Sequence, residues 1–202
     1  FESCHQGIFS MANINLLHLS GSPQRSDVFP SVDRMTNLEV LILEDFKFVG
    51  SIPQALGRLS KLRRVKLVNC NLNGAIPNLS NSSIEELHLI QNKLSGTIAP
   101  MPQTLRSLQL AFNKLMGPLD NIFGLDRLEA LDLSQNEFSG NFFLPSGIAQ
   151  RLRQLKIYSN QFSSVSLNQS DWSALKICDM HDNDFTCPAP DWLREKCLIE
   201  CK

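Results

Sequence analysis

Six cysteines and four histidines are the side chains of this 202-residue sequence best suited to covalent or metal chemistry. Four of the cysteines fall within the last 25 residues, at Cys178, Cys187, Cys197 and Cys201. This clustering predicts disulfide bonds and an extracellular setting, because disulfides persist in oxidising compartments. Four cysteines allow three pairings, of which we favour Cys178 with Cys197 and Cys187 with Cys201. A zinc site is the alternative, although no C-x-x-C pair or histidine at ligand spacing accompanies them.

The histidines do not converge on one another. His18 and His88 stand three sequence repeats apart, about 14 Å on strand spacing, and His181 lies four repeats further on. Asp179, His181 and Asp182 form a local trio that suggests a metal site, but alternate polar residues at the end of a strand are usually solvated. No G-x-S-x-G, phosphate-loop or H-E-x-x-H motif occurs. We therefore predict no enzyme, no catalytic residue, no bound metal and no cofactor.

The charge balance argues against polyanionic partners. Twenty acidic residues face 19 basic ones, so the net charge is only -1, and we expect no nucleic-acid binding. The mean hydropathy of -0.10 fits a globular chain, and no apolar run approaches the ~18 residues that a membrane span needs. Any signal peptide or membrane anchor would lie in segments outside this sequence.

An internal repeat organises the chain. Eight copies of L-x-x-L-x-L-x-x-N follow one another at steps of 21 to 24 residues, within the leucine-rich-repeat range of about 20–29. They begin at Ile14, Leu38, Leu62, Ile84, Leu105, Leu128, Leu152 and Leu175. Apolar residues at repeat positions 4 and 6 alternate with variable ones, which predicts one short parallel strand per repeat. One such unit cannot bury its apolar face alone, so the repeats must stack into a continuous core.

Position 9 of the repeat predicts an internal row of asparagines. Asn92, Asn113, Asn136, Asn160 and Asn183 occupy it, and a buried amide there satisfies backbone groups that the turning chain leaves unpaired. Ser22, Phe46 and Cys70 take the position earlier in the chain, so we expect the first three coils to be less regular, with Cys70 buried as a substitute. Position 11 is apolar and predicts a second buried column. Position 13 carries glycines where the backbone must turn tightly.

The residues after each asparagine resemble a known signature. The stretches Phe48-Val-Gly-Ser-Ile-Pro and Leu72-Asn-Gly-Ala-Ile-Pro resemble the L-x-G-x-I-P pattern of plant-specific leucine-rich repeats. This pattern is found in receptor-kinase ectodomains, polygalacturonase-inhibiting proteins and some protist surface proteins. The resemblance covers residues 14–186 and implies an α/β solenoid, a right-handed superhelix with a concave parallel β-sheet and an irregular or 3-10 convex side. Proline is missing after Leu119 and Phe142.

The ends of the chain differ from the repeats. We assign residues 1–13 to an N-terminal flank, 14–186 to eight repeats and 187–202 to a cysteine-containing C-terminal cap, because an open solenoid exposes its last apolar layer. The cap is predicted to contain a short helix with Asp191 as its N-cap. Trp192 and Leu193 would cover the last coil, while Cys197 and Cys201 pin the segment.

The concave face is the predicted partner-binding surface. Ile42, Val68, Ile90 and Phe112 place apolar side chains on consecutive strands, which suits a protein-binding site. The same prediction includes the polar neighbours Lys66, His88, Gln109 and Asp132, with Tyr158 as an outlying aromatic anchor. At position 2 the charge alternates in sign along the repeats, which predicts a lateral ladder of ion pairs formed by Glu39, Arg63, Glu85, Arg106, Glu129, Arg153 and Lys176.

These features predict an extracellular module that recognises a protein or peptide on its concave face. Three sequons, at Asn78, Asn81 and Asn168, fall away from that face and are candidate glycosylation sites. Two alternatives stay open: a secreted inhibitor of a polysaccharide hydrolase, and a structural or adhesive cell-surface protein. The variable columns do not identify the ligand, because solenoid faces diverge freely while the scaffold pattern stays fixed.

Overall fold

The main layer of the molecule is a parallel sheet with one strand from each repeat. The computed structural model describes residues 11–21, 27–166, 169–186 and 188–201. Strands are numbered in chain order, and the odd-numbered ones form this eight-stranded sheet in sequential spatial order. They are β1 (Leu16–Ser20), β3 (Val40–Glu44), β5 (Arg64–Val68), β7 (Glu86–His88), β9 (Ser107–Gln109), β11 (Ala130–Asp132), β13 (Gln154–Lys156) and β15 (Ile177–Asp179).

The apolar positions of the repeat form the core, as predicted. In β3, Leu41 and Leu43 are fully buried while the residues between and beside them are half-buried. The position-11 column is also buried from Phe48 to Phe185. Each fully buried leucine or phenylalanine contributes about 1.5–3 kcal/mol of transfer free energy. The core is therefore one continuous column that runs through every coil.

A second layer of short strands lies behind the main sheet, and the repeat pattern did not predict it. It comprises β2 (Asp27–Val28), β4 (Phe48–Val49), β6 (Asn73–Gly74), β8 (Lys93–Gly96), β10 (Lys114–Leu115), β12 (Ser139–Phe143) and β14 (Gln161–Ser166). In this layer β2 pairs with β4, β8 pairs with both β6 and β10, and β12 pairs with β14.

The second-layer strands differ in length, and proline follows two of the short ones. Where the repeat has Ile-Pro, at Pro53 and Pro77, the preceding strands β4 and β6 are two residues long. Phe143 stands at the equivalent position in β12, which extends to five residues and pairs with β14. Proline cannot donate a backbone hydrogen bond, but β10 is also two residues long and has Asp120 at the equivalent position, so proline is not the only cause of a short strand.

Short helices close the opposite side of the coils, in agreement with the predicted irregular or 3-10 convex side. The 3-10 helices are Gln54–Arg58, Asp120–Ile122 and Gln169–Trp172, and a short α-helix, α1, spans Ser146–Ala149. Each of the 3-10 segments Gln54–Arg58 and Asp120–Ile122 buries one aliphatic side chain, Leu56 and Ile122 respectively. Each of these two segments thus contacts the core through one buried apolar side chain.

The asparagine row is confirmed. Asn92 Oδ1 accepts hydrogen bonds from the backbone N–H groups of Cys70 and Leu72, both at 3.1 Å. Its Nδ2 donates to Leu67 O at 2.8 Å and to Leu89 O at 3.3 Å. The equivalent amides of Asn113, Asn136, Asn160 and Asn183 bond in the same way. Each amide therefore ties its own coil to the preceding one.

The first three coils differ from the rest in the length of their main-sheet strands. Their strands β1, β3 and β5 are five residues long, whereas β7 to β15 are three residues long. Regular strand pairing reaches position 7 between Glu44 and Val68 but only position 5 between His88 and Gln109. After that point a backbone bond from Gln91 N to Ala111 O, at 3.0 Å, joins the turns. In the later coils the next carbonyl, Leu89 O, accepts from Asn113 Nδ2 at 2.8 Å. The amide occupies an acceptor of the backbone ladder, so the strand ends sooner.

The segment after β15 packs against the last coil. A helix, α2, spans Asp191–Lys196, and its N-cap is Pro190, so the prediction of Asp191 as N-cap is wrong. Proline's fixed φ suits this entry, and Asp191 becomes the first helical residue, where its charge opposes the helix dipole favourably. Leu193 is buried and Trp192 is half-buried.

The predicted disulfide between Cys178 and Cys197 is present. It removes both thiols from the alternative zinc site. Beyond it, Leu198 forms an isolated parallel bridge with Asp179, and Met180 N donates to Leu198 O at 2.8 Å. The pairing proposed for Cys187 and Cys201 cannot be traced, because Cys187 lies outside the described residues.

Candidate functional site: the open face of the main sheet

The open face consists of the side chains at repeat positions 3, 5 and 7 of the main sheet, opposite the buried positions 4 and 6. Position 5 forms one continuous row, because strand pairing places its members in register from β1 to β15. The row is His18, Ile42, Lys66, His88, Gln109, Asp132, Lys156 and Asp179. Columns inferred from the repeat are therefore true neighbours across the sheet.

The predicted apolar group is not one uniform patch, because Ile42, Val68 and Ile90 occupy positions 5 and 7 of this face whereas Phe112 stands at position 8, after the end of β9. Val68 and Ile90 occupy position 7 of adjacent coils and are half-buried, while Phe112 is 44% exposed beside them. Phe112 has a left-handed backbone, with φ of 59°, which is uncommon for a bulky residue. Ile42 lies at position 5, where its in-register neighbours are His18 and Lys66. Polar residues thus separate Ile42 from the other three.

Asp132 is buried, which corrects our expectation of an exposed acidic neighbour. It is 8% exposed, and its Oδ1 accepts hydrogen bonds from the Ser134 backbone N–H at 3.0 Å and from the Ser134 hydroxyl. Positions 5 and 7 lie on the same face of one strand, so the carboxylate folds onto the start of its own turn. The other predicted polar residues, Lys66, His88 and Gln109, are half-buried on the face, as is Tyr158.

An ion pair at position 3 was missed by the sequence analysis. Arg64 Nε and Nη2 donate to Glu86 Oε2 and Oε1, both at 2.6 Å, across strands β5 and β7. These hydrogen bonds lower the pKa of Glu86 below its ordinary value. Opposite charges stand at position 3 of consecutive repeats, so the reasoning applied to position 2 would have found this pair. It fixes two long side chains beside the polar end of the apolar group.

His88 is held in its neutral form beside this pair. Its Nε2 shares a hydrogen bond with Ser107 Oγ at 3.0 Å. Burial, and then the positive charge of Lys66, lowers the pKa of His88 below its ordinary value of 6.5. At neutral pH the imidazole therefore presents hydrogen-bonding capacity to a partner without adding charge.

A second cluster forms at the C-terminal end of the open face. The rings of Tyr158 and His181 stack with centroids 5.0 Å apart and planes 7° apart. His181 Nδ1 lies 2.5 Å from Asp179 Oδ1. This contact uses two members of the trio that suggested a metal site, while Asp182 is exposed on the following turn. Within the described ranges no group of three metal-ligating side chains converges.

The position-2 charge ladder forms in part. Arg106 Nη1 lies 2.8 Å from Glu129 Oε1, and Arg153 Nε lies 3.8 Å from Glu129 Oε2. A separate contact of 3.9 Å joins Arg63 to Glu85. Exposed pairs of this kind contribute about 0–1 kcal/mol each. The ladder therefore acts on register and solubility more than on total stability.

The two candidate glycosylation sites in the described part of the chain lie away from the open face. Asn78 and Asn81 are exposed in the turn before β7, and Asn78 Oδ1 accepts from the Ser80 backbone N–H at 3.0 Å. Asn168 lies outside the described residues. No helix in the described part of the chain has the length and apolar character needed to span a bilayer.

One strand per repeat, buried positions 4 and 6 and an internal row of asparagines define a leucine-rich-repeat solenoid. No protein-family model matches the sequence. Receptor-like protein 35 of Arabidopsis thaliana is 30% identical over 155 residues, which are 74% of this chain and 16% of that protein. The chain thus spans about a sixth of that curated relative. Together with the L-x-G-x-I-P signature, this similarity agrees with the resemblance of the chain to plant-specific leucine-rich-repeat proteins.

Solved structures agree with this assignment. The PEPR1–AtPEP1 crystal structure matches with a TM-score of 0.79 and 31% identity over 98% of this chain and 29% of that chain. The Arabidopsis receptor kinase HAESA, solved with the peptide hormone IDA and the co-receptor SERK1, matches with a TM-score of 0.75 and 29% identity over 89% of this chain and 32% of that chain. The chain is therefore similar to part of each receptor.

Proposed function

We propose that this chain is an extracellular recognition module that binds a protein or peptide on its open face. The observation that carries the proposal is the arrangement of Val68, Ile90 and Phe112 beside the in-register position-5 row. Apolar anchors with polar neighbours supply most of the energy of protein interfaces. The similarity to the PEPR1–AtPEP1 and HAESA–IDA complexes favours a peptide as the partner.

The mechanism we propose is rigid display of side chains rather than catalysis. The position-5 row is fixed by backbone pairing, and the Arg64–Glu86 and Tyr158–His181 contacts hold further side chains in place. A preorganised surface loses little conformational entropy on binding. Variation at positions 3, 5 and 7 would then set specificity without changing the core.

The extracellular location is supported by two independent features. The Cys178–Cys197 disulfide suits an oxidising compartment. Asn78 and Asn81 are exposed sequon residues on a surface where a glycan would not cover the open face. We propose both as glycosylated positions.

The test is a selection of random peptides on the immobilised protein, followed by affinity measurement on variants. We expect the selected peptides to bind V68S/I90S/F112S about tenfold more weakly or worse, because these residues are the proposed anchors. The matched control is V28S/V49S/M116S, which removes three exposed apolar side chains away from the open face. Its affinity should stay within about twofold of the parent, which corresponds to roughly 0.4 kcal/mol.

Both outcomes depend on intact folding, so each variant is first compared with the parent by thermal unfolding. Equal binding by the folded open-face variant would overturn the proposed site. A loss of binding in the control alone would place the site on the second layer instead.

A further inference from the structure

A cavity of about 310 Å³ opens on the second layer, away from the open face. It lies where the second layer is interrupted, since β10 pairs with β8 and β12 pairs with β14. The last backbone bond between the two coils at this point is Glu137 N to Leu115 O, at 2.8 Å. In the described chain no backbone bond joins residues 117–120 to residues 139–143, and the coils separate there.

Aromatic and proline rings form the apolar part of the cavity. Phe123 and Phe143 meet edge to face, with ring centroids 5.7 Å apart and planes at 88°. Phe143 is 44% exposed, Phe162 closes the interior of the cavity, and Pro118 borders it on the β10 side. Two nearly perpendicular aromatic rings therefore form a corner in the wall of the cavity, where a bound molecule can contact them.

Polar groups border the same corner. Asn141 Oδ1 accepts hydrogen bonds from Ser164 Oγ at 2.9 Å and Ser166 Oγ at 3.1 Å. These two bonds fix the orientation of the amide and leave its Nδ2 to donate. The carboxylate of Asp120 and the hydroxyl of Ser139 also line the cavity, and both residues are exposed. The rim thus combines a fixed donor, a charged acceptor and a hydroxyl.

This combination matches the chemistry of a sugar ring. A pyranose has an apolar C–H face that packs on an aromatic ring and a rim of hydroxyls that both donate and accept. An amide and a carboxylate that line the same cavity can bind different hydroxyls of one ring with complementary hydrogen bonds. No lysine, arginine or histidine lines the cavity, and Asp120 would repel an acidic sugar. The volume is at the lower end of the ~300–1,000 Å³ of small-ligand sites, which suits a single ring.

An inserted peptide strand fits the site less well. The two coils are neighbours in the stack, and adjacent strands lie about 4.8 Å apart, so a further strand between them would need roughly twice that spacing. We propose that this cavity binds one neutral pyranose unit of an oligosaccharide. Its ligand and position are independent of the peptide site proposed for the open face.

The experiment is saturation-transfer NMR on the intact protein with methyl β-D-glucopyranoside and methyl β-D-galactopyranoside as probes. We expect saturation on the ring protons of the C–H face of at least one probe, with a dissociation constant of roughly millimolar order for so small a ligand. F143A and N141A should each reduce the transfer at least fivefold. M116A is the matched control, because Met116 is also 44% exposed but does not line the cavity, and it should leave the transfer unchanged.

A charge variant tests the selectivity. Methyl galacturonate should show less than a fifth of the transfer of the galactoside, and D120N should at least halve that discrimination. Absence of transfer with both neutral probes, or equal transfer in the folded F143A variant, would overturn the proposal. Stronger transfer to N-acetylproline methylamide than to either glycoside would also overturn it and identify a pocket for a peptide side chain. Loss of peptide binding to the open face leaves these readouts unaffected.

Discussion

The first three coils and the last five end their main-sheet strands by different chemistry. In the early coils, backbone pairing continues to position 7, where Glu44 faces Val68. In the later coils regular pairing reaches only position 5, the asparagine amide binds the next carbonyl, and a backbone bond such as Gln91 N to Ala111 O follows. The stacked sheet nevertheless continues without a break from β5 to β7. The equivalent backbone carbonyls can therefore be satisfied either by strand pairing, as in the early coils, or by an asparagine side chain, as in the later coils.

Cys70 stands at the boundary between the two regions and shows why the exchange is possible. Its thiol donates to Leu43 O at 3.2 Å and Val68 O at 3.3 Å, the carbonyls that an asparagine amide would bind at this position. Burial raises the pKa of Cys70 to about 11, so the thiol keeps its proton. Phe46, one coil earlier, instead stacks on Phe48 with centroids 5.1 Å apart. Aromatic packing replaces the polar contacts there.

The largest expected effect comes from removing the position-9 side chain in each region. Asn136 accepts from Leu115 N and donates to Leu110 O and Leu133 O, each at 2.9 to 3.1 Å. N136A leaves these buried groups unpaired at about 1–3 kcal/mol each, so we expect a loss of about 3 kcal/mol or more. C70A loses only weak thiol contacts, and we expect about 1 kcal/mol. Urea unfolding measures both.

The control for this pair is N73A, because Asn73 is an exposed asparagine outside the row. It should change the free energy of unfolding by less than about 0.5 kcal/mol. Equal losses of unfolding free energy in N136A and C70A would contradict the distinction between the two groups of coils. The asparagine and the cysteine would then stabilise their coils to the same extent.

Charge reversal at position 2 should give a smaller difference between the regions. Glu129 contacts Arg106 and Arg153, whereas Glu39 forms no ion pair within the described ranges. E129R places three arginines side by side, and we expect a loss of about 0.5–1.5 kcal/mol at low salt. E39R should lose less than half of that. The loss in E129R should shrink in 1 M NaCl, where the Debye length is about 3 Å; a salt-independent loss would contradict the surface assignment.

The smallest expected effect is a pH dependence at the first coil of the later region. The pKa of His88 is lower in the folded chain than its ordinary value of 6.5, so the folded state binds fewer protons. Its stabilising contribution is complete above pH 6.5 and is lost as the pH falls through 6.5 toward the folded value. H88Q should therefore flatten the stability profile below pH 6.5, measured by unfolding at several pH values.

K66Q provides the matched variant, because the charge of Lys66 is the second cause of the lowered pKa after burial. Its profile should lie between those of the parent and H88Q. Identical profiles for the parent and H88Q would show that His88 contributes nothing to acid sensitivity.

Much of the scaffold was predictable because the repeat restricts which side chains point inward. The alternation of positions 4 and 6, the asparagine row and the Cys178–Cys197 bridge all followed from residue type and spacing. The binding-face prediction included Asp132, which is buried, and Phe112, which stands at position 8 and not in the rows of the open face. Whether these residues bind a partner stays a prediction until the peptide experiment is done.

The sequence by itself determined the period, and with it which backbone segments pair and which columns become the core. It did not determine how side chains from different coils settle against one another. The Arg64–Glu86 pair, the Tyr158–His181 stack and the corner of Phe123 and Phe143 each join residues about 20 positions apart or more. Their rotamers depend on the separation and twist of neighbouring coils. Strands of adjacent coils in the second layer also need not pair with each other, and β10 and β12 do not. Only the tertiary structure decided those contacts, because a repeat specifies the backbone path while side-chain packing between coils selects among the remaining rotamers.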